Sequence, residues 1–344
     1  MSVTTPSVQL IGSPGSPYSR KMRALLRYRR ISHQWILRNS TSEPADIPDV
    51  PVALIPILVL READGSVASM IDSTPQIRRL EERFSERSVI PPDPVVAFLD
   101  ALIEDFGDEW LTKAMFHYRW VYDADIAKAG AILPRWGRSD APEDRMVAFG
   151  KMISERQISR LGVVGSNSTT AAVIESSYRR ILQALDARLQ QAPFVMGARP
   201  GSADFGLFGQ LTQLALFDPT PAEVTLEVAP RVVAWCEVVE DLSGSQIAEA
   251  DWVTRDTAAA ALAGLLAEIG RVYTPFLLGN AAALESGASQ VECEIDGRKW
   301  VQEPFPYQGK CLRWLRERHG ALSAADRRDL DAILAGSGSE AQFA

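Results

Sequence analysis

Cysteine and histidine are scarce in this 344-residue chain, three of each, and neither forms a pattern. Cys236, Cys293 and Cys311 are widely spaced, odd in number and without a CxxC pair, which fits a reducing compartment better than a disulfide framework. His33, His117 and His319 are equally scattered, so no metal site is expected. A basic excess is also missing. The 36 Lys+Arg stand against 44 Asp+Glu, a formal charge of -8, which is the wrong sign for binding phosphate backbones, so no nucleic-acid partner is expected. The most apolar stretches, such as residues 258–269, are alanine-rich and shorter than the run of about 18 residues needed to cross a bilayer. The first residues lack a basic segment followed by an apolar one. The expectation is therefore a cytoplasmic protein with no membrane partner.

With 46% hydrophobic and 23% charged residues, the chain has enough apolar material for a sizeable core and room for two or three domains. Short β-branched runs alternate with amphipathic stretches over residues 1–90. The pattern predicts a strand at 8–11, a helix at 20–28, strands at 57–60 and 67–71 joined by a turn at 63–66, and a helix from 72 to about 84. Residues 39–49 read as a loop. Ser73 with Gln76 three positions on matches a capping box. Three prolines within residues 91–94 mark a domain boundary. Residues 95–250 then read as an all-α helical bundle, with long amphipathic runs at 95–110, 144–161, 170–191 and 202–217. The last segment, 251–344, adds an alanine-rich helix at 256–271, a hairpin at 291–302, helices at 307–319 and 324–334, and a polar tail from 336 expected to fray. Its short helices and single hairpin would be marginal alone, so it is expected to pack on the helical domain.

Between the first strand and first helix runs Ser13-Pro14-Gly15-Ser16-Pro17-Tyr18-Ser19-Arg20. Downstream come Ile55-Pro56 before a strand, Asp72-Ser73 after the hairpin, and the segment Gly197-Ala198-Arg199-Pro200-Gly201-Ser202-Ala203-Asp204. In this order, over roughly residues 7–244, these features resemble the glutathione transferase family. The resemblance implies an α/β thioredoxin-like domain followed by a helical one, glutathione as co-substrate, a small hydrophobic electrophile as second substrate, and a homodimer.

The chemistry that family performs is concrete. Glutathione reacts as its thiolate, and a hydroxyl donor at a helix N-terminus lowers the thiol pKa through a charge-assisted hydrogen bond and the helix dipole. Ser16 is in position for that role, although Ser before Pro is also an ordinary N-cap pair. Ser13, Tyr18 and Ser19 compete with it. Pro56, if cis, would let Ile55 present its backbone to an extended peptide; the plain alternative is a trans proline at a strand start. Asp72 and Ser73 would hold the ammonium and carboxylate of the γ-glutamyl end, against a simple capping reading. The family more often has Glu or Gln where this chain has Asp72.

Trp110, Tyr118 and Tyr18 are candidates for the electrophile pocket, with a core stripe the competing reading of the aromatic run. Arg20, nearest Ser16 in a basic cluster that includes Lys21, Arg23, Arg27, Arg29 and Arg30, could attract the anionic ligand; most of that cluster reads as a solvated face. Asp204 reads as a structural carboxylate bonding back to backbone N–H, with Gly201 where a Ser or Thr cap is usual. Two function classes stand: an enzyme that activates glutathione, and a non-catalytic glutathione- or protein-binding member of the same fold. A thiol–disulfide oxidoreductase is disfavoured, because no cysteine precedes Cys236.

Overall fold

The computed structural model describes residues 7–44, 47–62 and 64–343. Strand β1 (Val8–Gly12) leads through the Ser13–Ser16 loop into α1 (Pro17–Tyr28), and β2 (Gln34–Leu37) returns parallel to β1. Then β3 (Ile57–Arg61) pairs antiparallel with β1, β4 (Val67–Met70) pairs antiparallel with β3, and α2 (Ser73–Arg83) follows. The sheet order is β2-β1-β3-β4, the thioredoxin-like arrangement. Successive side chains leave a strand on opposite faces. Val8, Leu10, Leu58 and Leu60 accordingly join the main core, while Ile11, Ile36, Ile57 and Val59 form a smaller cluster on the other face.

The helical domain opens at α3 (Pro94–Phe106), whose N-cap Asp93 accepts from the Val95 and Val96 amides. A π-helical turn (Gly107–Leu111) links α3 to α4 (Thr112–Val121), and α5 (Asp123–Gly137), α6 (Glu143–Ile158), α7 (Ala171–Leu189), α8 (Ser202–Leu214), α9 (Pro219–Val228) and α10 (Pro230–Val239) complete it. Every residue of α8 is buried, because this helix lies between α1 and α3 and joins the two domains. Glycine permits the close approach: a Cβ at Gly209 would stand 2.7 Å from the Pro17 carbonyl oxygen.

Past residue 250 come α11 (Arg255–Glu268), a π-helical turn (Ile269–Tyr273) and α12 (Thr274–Ser286), one continuous helix of 32 residues. Its best 18-residue window has a mean hydropathy of 1.3, and 56% of that window is buried against protein. The hairpin β5 (Val291–Ile295) and β6 (Arg298–Gln302) turns through Asp296 and Gly297, both at positive φ. α13 (Pro306–Ala321) and α14 (Ala324–Leu334) follow. These elements pack on α3, α7 and the π-helical turn, and their apolar side chains belong to the same core cluster as the helical domain.

The segment is pinned by a buried lysine. Lys113 Nζ donates to the carbonyl of Val164 and to Gln302 Oε1, both at 3.1 Å, and faces the Phe276 ring at 4.0 Å. Burial pushes its pKa down to about 7.

Several sequence expectations change. β2 adds a strand, and α5 adds a helix across Pro134. The helix expected at 256–271 runs on to Ser286, so the apolar helical stretch is longer than composition suggested. Ser73 does not cap α2: the cap position is Asp72, at φ 75° and with no side-chain cap bond, while Gln76 Nε2 donates to the carbonyls of Pro56 and Met70. The tail does not fray through residue 343, since a 3-10 turn (Ser339–Gln342) is tied down by Gln342 donating to Thr274 at 2.8 Å. Ala63 of the expected turn, residues 45 and 46 of the expected loop, and residues 1–6 and 344 lie outside the described residues.

Candidate active site

Ser16 is the N-cap of α1, with Pro17 opening the helix, and its Oγ accepts from the Ser19 amide at 3.3 Å. That bond uses a lone pair and leaves the hydroxyl proton free to donate. Ser16 lines a cavity of about 260 Å³. Ser13, Gly15 and Ile55 complete the wall from the first domain, with Arg38 and Asn39 at the end of β2. Leu133, Pro134 and Gly137 of α5 and Met146, Phe149 and Ile153 of α6 form an apolar opposite wall, with Arg138 beside them. The hydroxyl, the two cationic side chains and the apolar wall thus meet in one space.

The Ile55–Pro56 peptide is cis. Pro56 sits just ahead of β3, and its carbonyl accepts from Gln76 at 2.9 Å.

Of the competing hydroxyls, Ser19 is fully buried and its Oγ accepts from the Ser13 amide at 3.3 Å. Tyr18 points the other way, donating to the Asp108 carbonyl at 2.9 Å, and burial, then Glu109 and Asp108, hold its pKa well above the ordinary phenol value. Ser13 remains on the cavity wall, its Oγ accepting from the Gly15 amide at 3.4 Å.

Trp110 and Tyr118 are not brought to the cavity. Trp110 is buried under the C-terminal segment, its indole N–H donating to Ser177 at 2.8 Å and its ring near Trp300 and Phe276. Tyr118 stacks on Tyr122 and meets Tyr178 edge-on. Both are core residues because the face of the π-helical turn and α4 that carries them packs on α7 and the C-terminal helices. The pocket side chains come instead from α5 and α6, where the sequence signal was an ordinary amphipathic pattern with no aromatic run.

The basic cluster is largely paired rather than solvated. Arg20, Arg23 and Arg27 converge on Glu240 of the α10 terminus, so Arg20 is held away from the cavity. Lys21 is fully buried, with Nζ 2.6 Å from both Glu104 and Asp108.

At the start of α2, Ser73 is 4% exposed. Its hydroxyl accepts from Lys21 at 3.1 Å and donates to Asp108 at 3.0 Å. Asp72 Oδ2 accepts from the Tyr307 hydroxyl of α13 at 2.7 Å. Sequence reasoning had no signal for Tyr307, which lies 235 positions away.

Asp204 behaves as a structural carboxylate. It accepts from the amides of Gly201 at 2.9 Å and Val195 at 2.7 Å. Burial raises its pKa to about 6 against those bonds. The three cysteines are free, and no group of three or more potential metal ligands occurs among the described residues.

Comparison with known proteins returns two domain models. Residues 10–88 match the glutathione S-transferase N-terminal domain and residues 165–237 match the glutathione S-transferase C-terminal domain. No curated protein matches the chain. Among solved structures, a glutathione S-transferase from Rhodospirillum rubrum F11 is 18% identical at a TM-score of 0.41, with 73% of this chain and 98% of that one covered. A glutathione transferase family member from Pseudomonas fluorescens, solved with two glutathione bound, is 14% identical over 69% and 89% of the two chains at a TM-score of 0.42. A glutathione transferase from Burkholderia graminis, also with two glutathione molecules per subunit, gives 16%, 68% and 84%, and 0.44. The two domain models follow one another along the chain in this order, so the chain carries a glutathione S-transferase N-terminal domain and a glutathione S-transferase C-terminal domain.

Proposed function

We propose that the protein is a glutathione transferase-like enzyme, in which Ser16 donates a hydrogen bond to the sulfur of bound glutathione and holds it as thiolate for attack on a hydrophobic electrophile. The observation that carries this reading is the position of the Ser16 hydroxyl, at a helix N-terminus and on the wall of a cavity whose far side is apolar. A developing thiolate there is favoured by the free N–H groups and dipole of α1. Ile55 offers its backbone to the cysteinyl unit. Arg38 and Arg138 suit a carboxylate. At the start of α2, Asp72 is the carboxylate nearest in role to the ammonium of the γ-glutamyl arm, although Tyr307 already donates to it. Leu133, Met146, Phe149 and Ile153 receive the electrophile. Two copies pairing as a homodimer belong to the same proposal, and the mass in solution checks it.

The test is Ser16→Ala. A charge-assisted hydrogen bond contributes about 1.5–3 kcal/mol and one pKa unit corresponds to about 1.36 kcal/mol. Loss of the donor is therefore expected to raise the pKa of the bound thiol by roughly one to two units. The pH profile of kcat/KM moves up by the same amount. Pure capping forecasts a stability loss of about 1 kcal/mol and an unmoved profile. Ser13→Ala, measured alongside, checks the other hydroxyl on the wall.

One observation favours the non-catalytic alternative. The Ser73 hydroxyl is fully engaged with Lys21 and Asp108 and does not line the cavity. Binding of glutathione without turnover of a generic aromatic electrophile would select that reading.

A further inference from the structure

The C-terminal segment reaches the candidate site at one point. α13 packs on α12 and α3 and touches α2 through Trp314, which lies under Arg78, with Lys310 over the rings of Tyr307 and Trp314. At its N-terminal end Tyr307 donates to Asp72 Oδ2. Its phenol stays protonated, since burial first, then Glu109 and Asp72, push its pKa up. One residue after Asp72, the Ser73 hydroxyl accepts from Lys21 and donates to Asp108. The cavity at Ser16 reaches Ile55 and includes neither Asp72 nor Ser73 in its wall.

We propose that Tyr307 is a specificity-determining residue of this site: it occupies the Asp72 carboxylate that a ligand's ammonium group would use, and so shifts recognition toward the cysteinyl and glycyl end of the thiol. The inference rests on the glutathione reading above. The phenol already draws on the charge of the Asp72 carboxylate through Oδ2, so an arriving ammonium either displaces it or shares the carboxylate with it, and gains less from its own charge-assisted bond. The γ-glutamyl arm then adds little affinity. The Ser73 hydroxyl cannot compensate, because Lys21 and Asp108 already use it. Arg38, paired with Glu43, and Arg138, paired with Asp140, line the cavity and Tyr307 does not, so the phenol leaves unchanged whatever contacts a ligand's carboxylate makes there and its thiol makes at Ser16.

The experiment is calorimetric titration of the full chain and of Tyr307→Phe with glutathione and, separately, with cysteinylglycine, which lacks the γ-glutamyl arm. The Phe ring keeps the packing and removes only the competing donor. Glutathione is expected to bind Tyr307→Phe about three- to tenfold more tightly, with cysteinylglycine unchanged. Adding Asp72→Asn to Tyr307→Phe should erase the gain. Unchanged or weaker glutathione binding, or an equal shift for both thiols, overturns the proposal. If neither thiol binds either protein, the glutathione reading itself fails, and the inference with it.

Discussion

His117 lies with Nδ1 2.8 Å from the Ser166 hydroxyl and Nε2 3.1 Å from Glu175, which also accepts from Tyr122 at 2.7 Å. Hydroxyl, imidazole and carboxylate in that order are the parts of an acyl-transfer triad. Ser166, however, is only 4% exposed, so its hydroxyl is a strut that ties the loop before α7 to α4. Ser166→Ala should leave turnover unchanged and lower stability by about 1–3 kcal/mol, the cost of a buried ring nitrogen without its partner, read from urea unfolding. Burial holds the His117 pKa below its ordinary value. The folded chain therefore binds fewer protons at this group than the unfolded one, and its contribution to stability is present above about pH 6.5 and lost as pH falls below it.

At this scale the sequence was informative where a residue acts through its own backbone neighbours. Ser16 before Pro17 reads as a cap because the cap is local, and Asp204 bonding back to Gly201 is a three-residue relation. Tyr18, Trp110 and Lys21 were misplaced because their direction is set by elements around ninety or more positions away: Asp108 for Tyr18 and Lys21, Trp300 for Trp110.

The element that shapes the cavity is the pair α5 and α6. They cross at Gly130 and Gly150, and a Cβ at Gly150 would fall 2.1 Å from the Gly130 carbonyl oxygen. Gly150→Ala must push α6 outward, carrying Met146, Phe149 and Ile153 with it. The expected outcome is a several-fold rise in KM for the electrophile with thiol affinity unchanged, measured by steady-state kinetics with each substrate varied. A parallel loss of both affinities would show that the helix pair also supports the thiol end. α5 itself was not legible, because Pro134 in its interior reads as a breaker. β2 is only four residues long and was missed for want of alternation.

The helix α3 and the π-helical turn carry a different burden. Burial raises the carboxyls of Asp100 to about 8, Asp105 to about 7 and Glu109 to about 8. Folding then takes up protons between about pH 4 and 8, so these groups make the protein less stable as pH rises through that window. Asp100→Asn removes one of them. Its stability relative to the parent should improve with rising pH, with a slope of up to roughly 1.4 kcal/mol per pH unit. A pH-independent difference would place the proton elsewhere.

For the whole molecule, order along the chain was readable: a strand-and-helix unit, a proline break, a bundle, then a further segment. How the last part sits was only an inference from its inability to stand alone, since no local pattern encodes which surface it covers. Its contacts make it integral to the bundle. Trp300 and Phe276 enclose Lys113, Tyr273 donates to Asp105 at 2.6 Å, and Gln308 donates to Glu109 at 3.0 Å. Deleting residues 255–344 should therefore cost the cooperative transition, with weakened near-UV circular dichroism. A truncated chain that melts sharply at the parent's Tm would show that the bundle is complete without it.

The Lys113 enclosure also bears on how the protein is made. Its walls, Phe276 and Trp300, follow Lys113 by about 160 to 190 positions, so at about 5–20 residues per second they emerge from the ribosome roughly 10–40 seconds after it. During that interval the nascent bundle holds a bare ammonium and an uncovered apolar face, open to chaperones. Emergence of these walls, rather than completion of either matched domain, is then the moment at which the native packing around Lys113 becomes reachable.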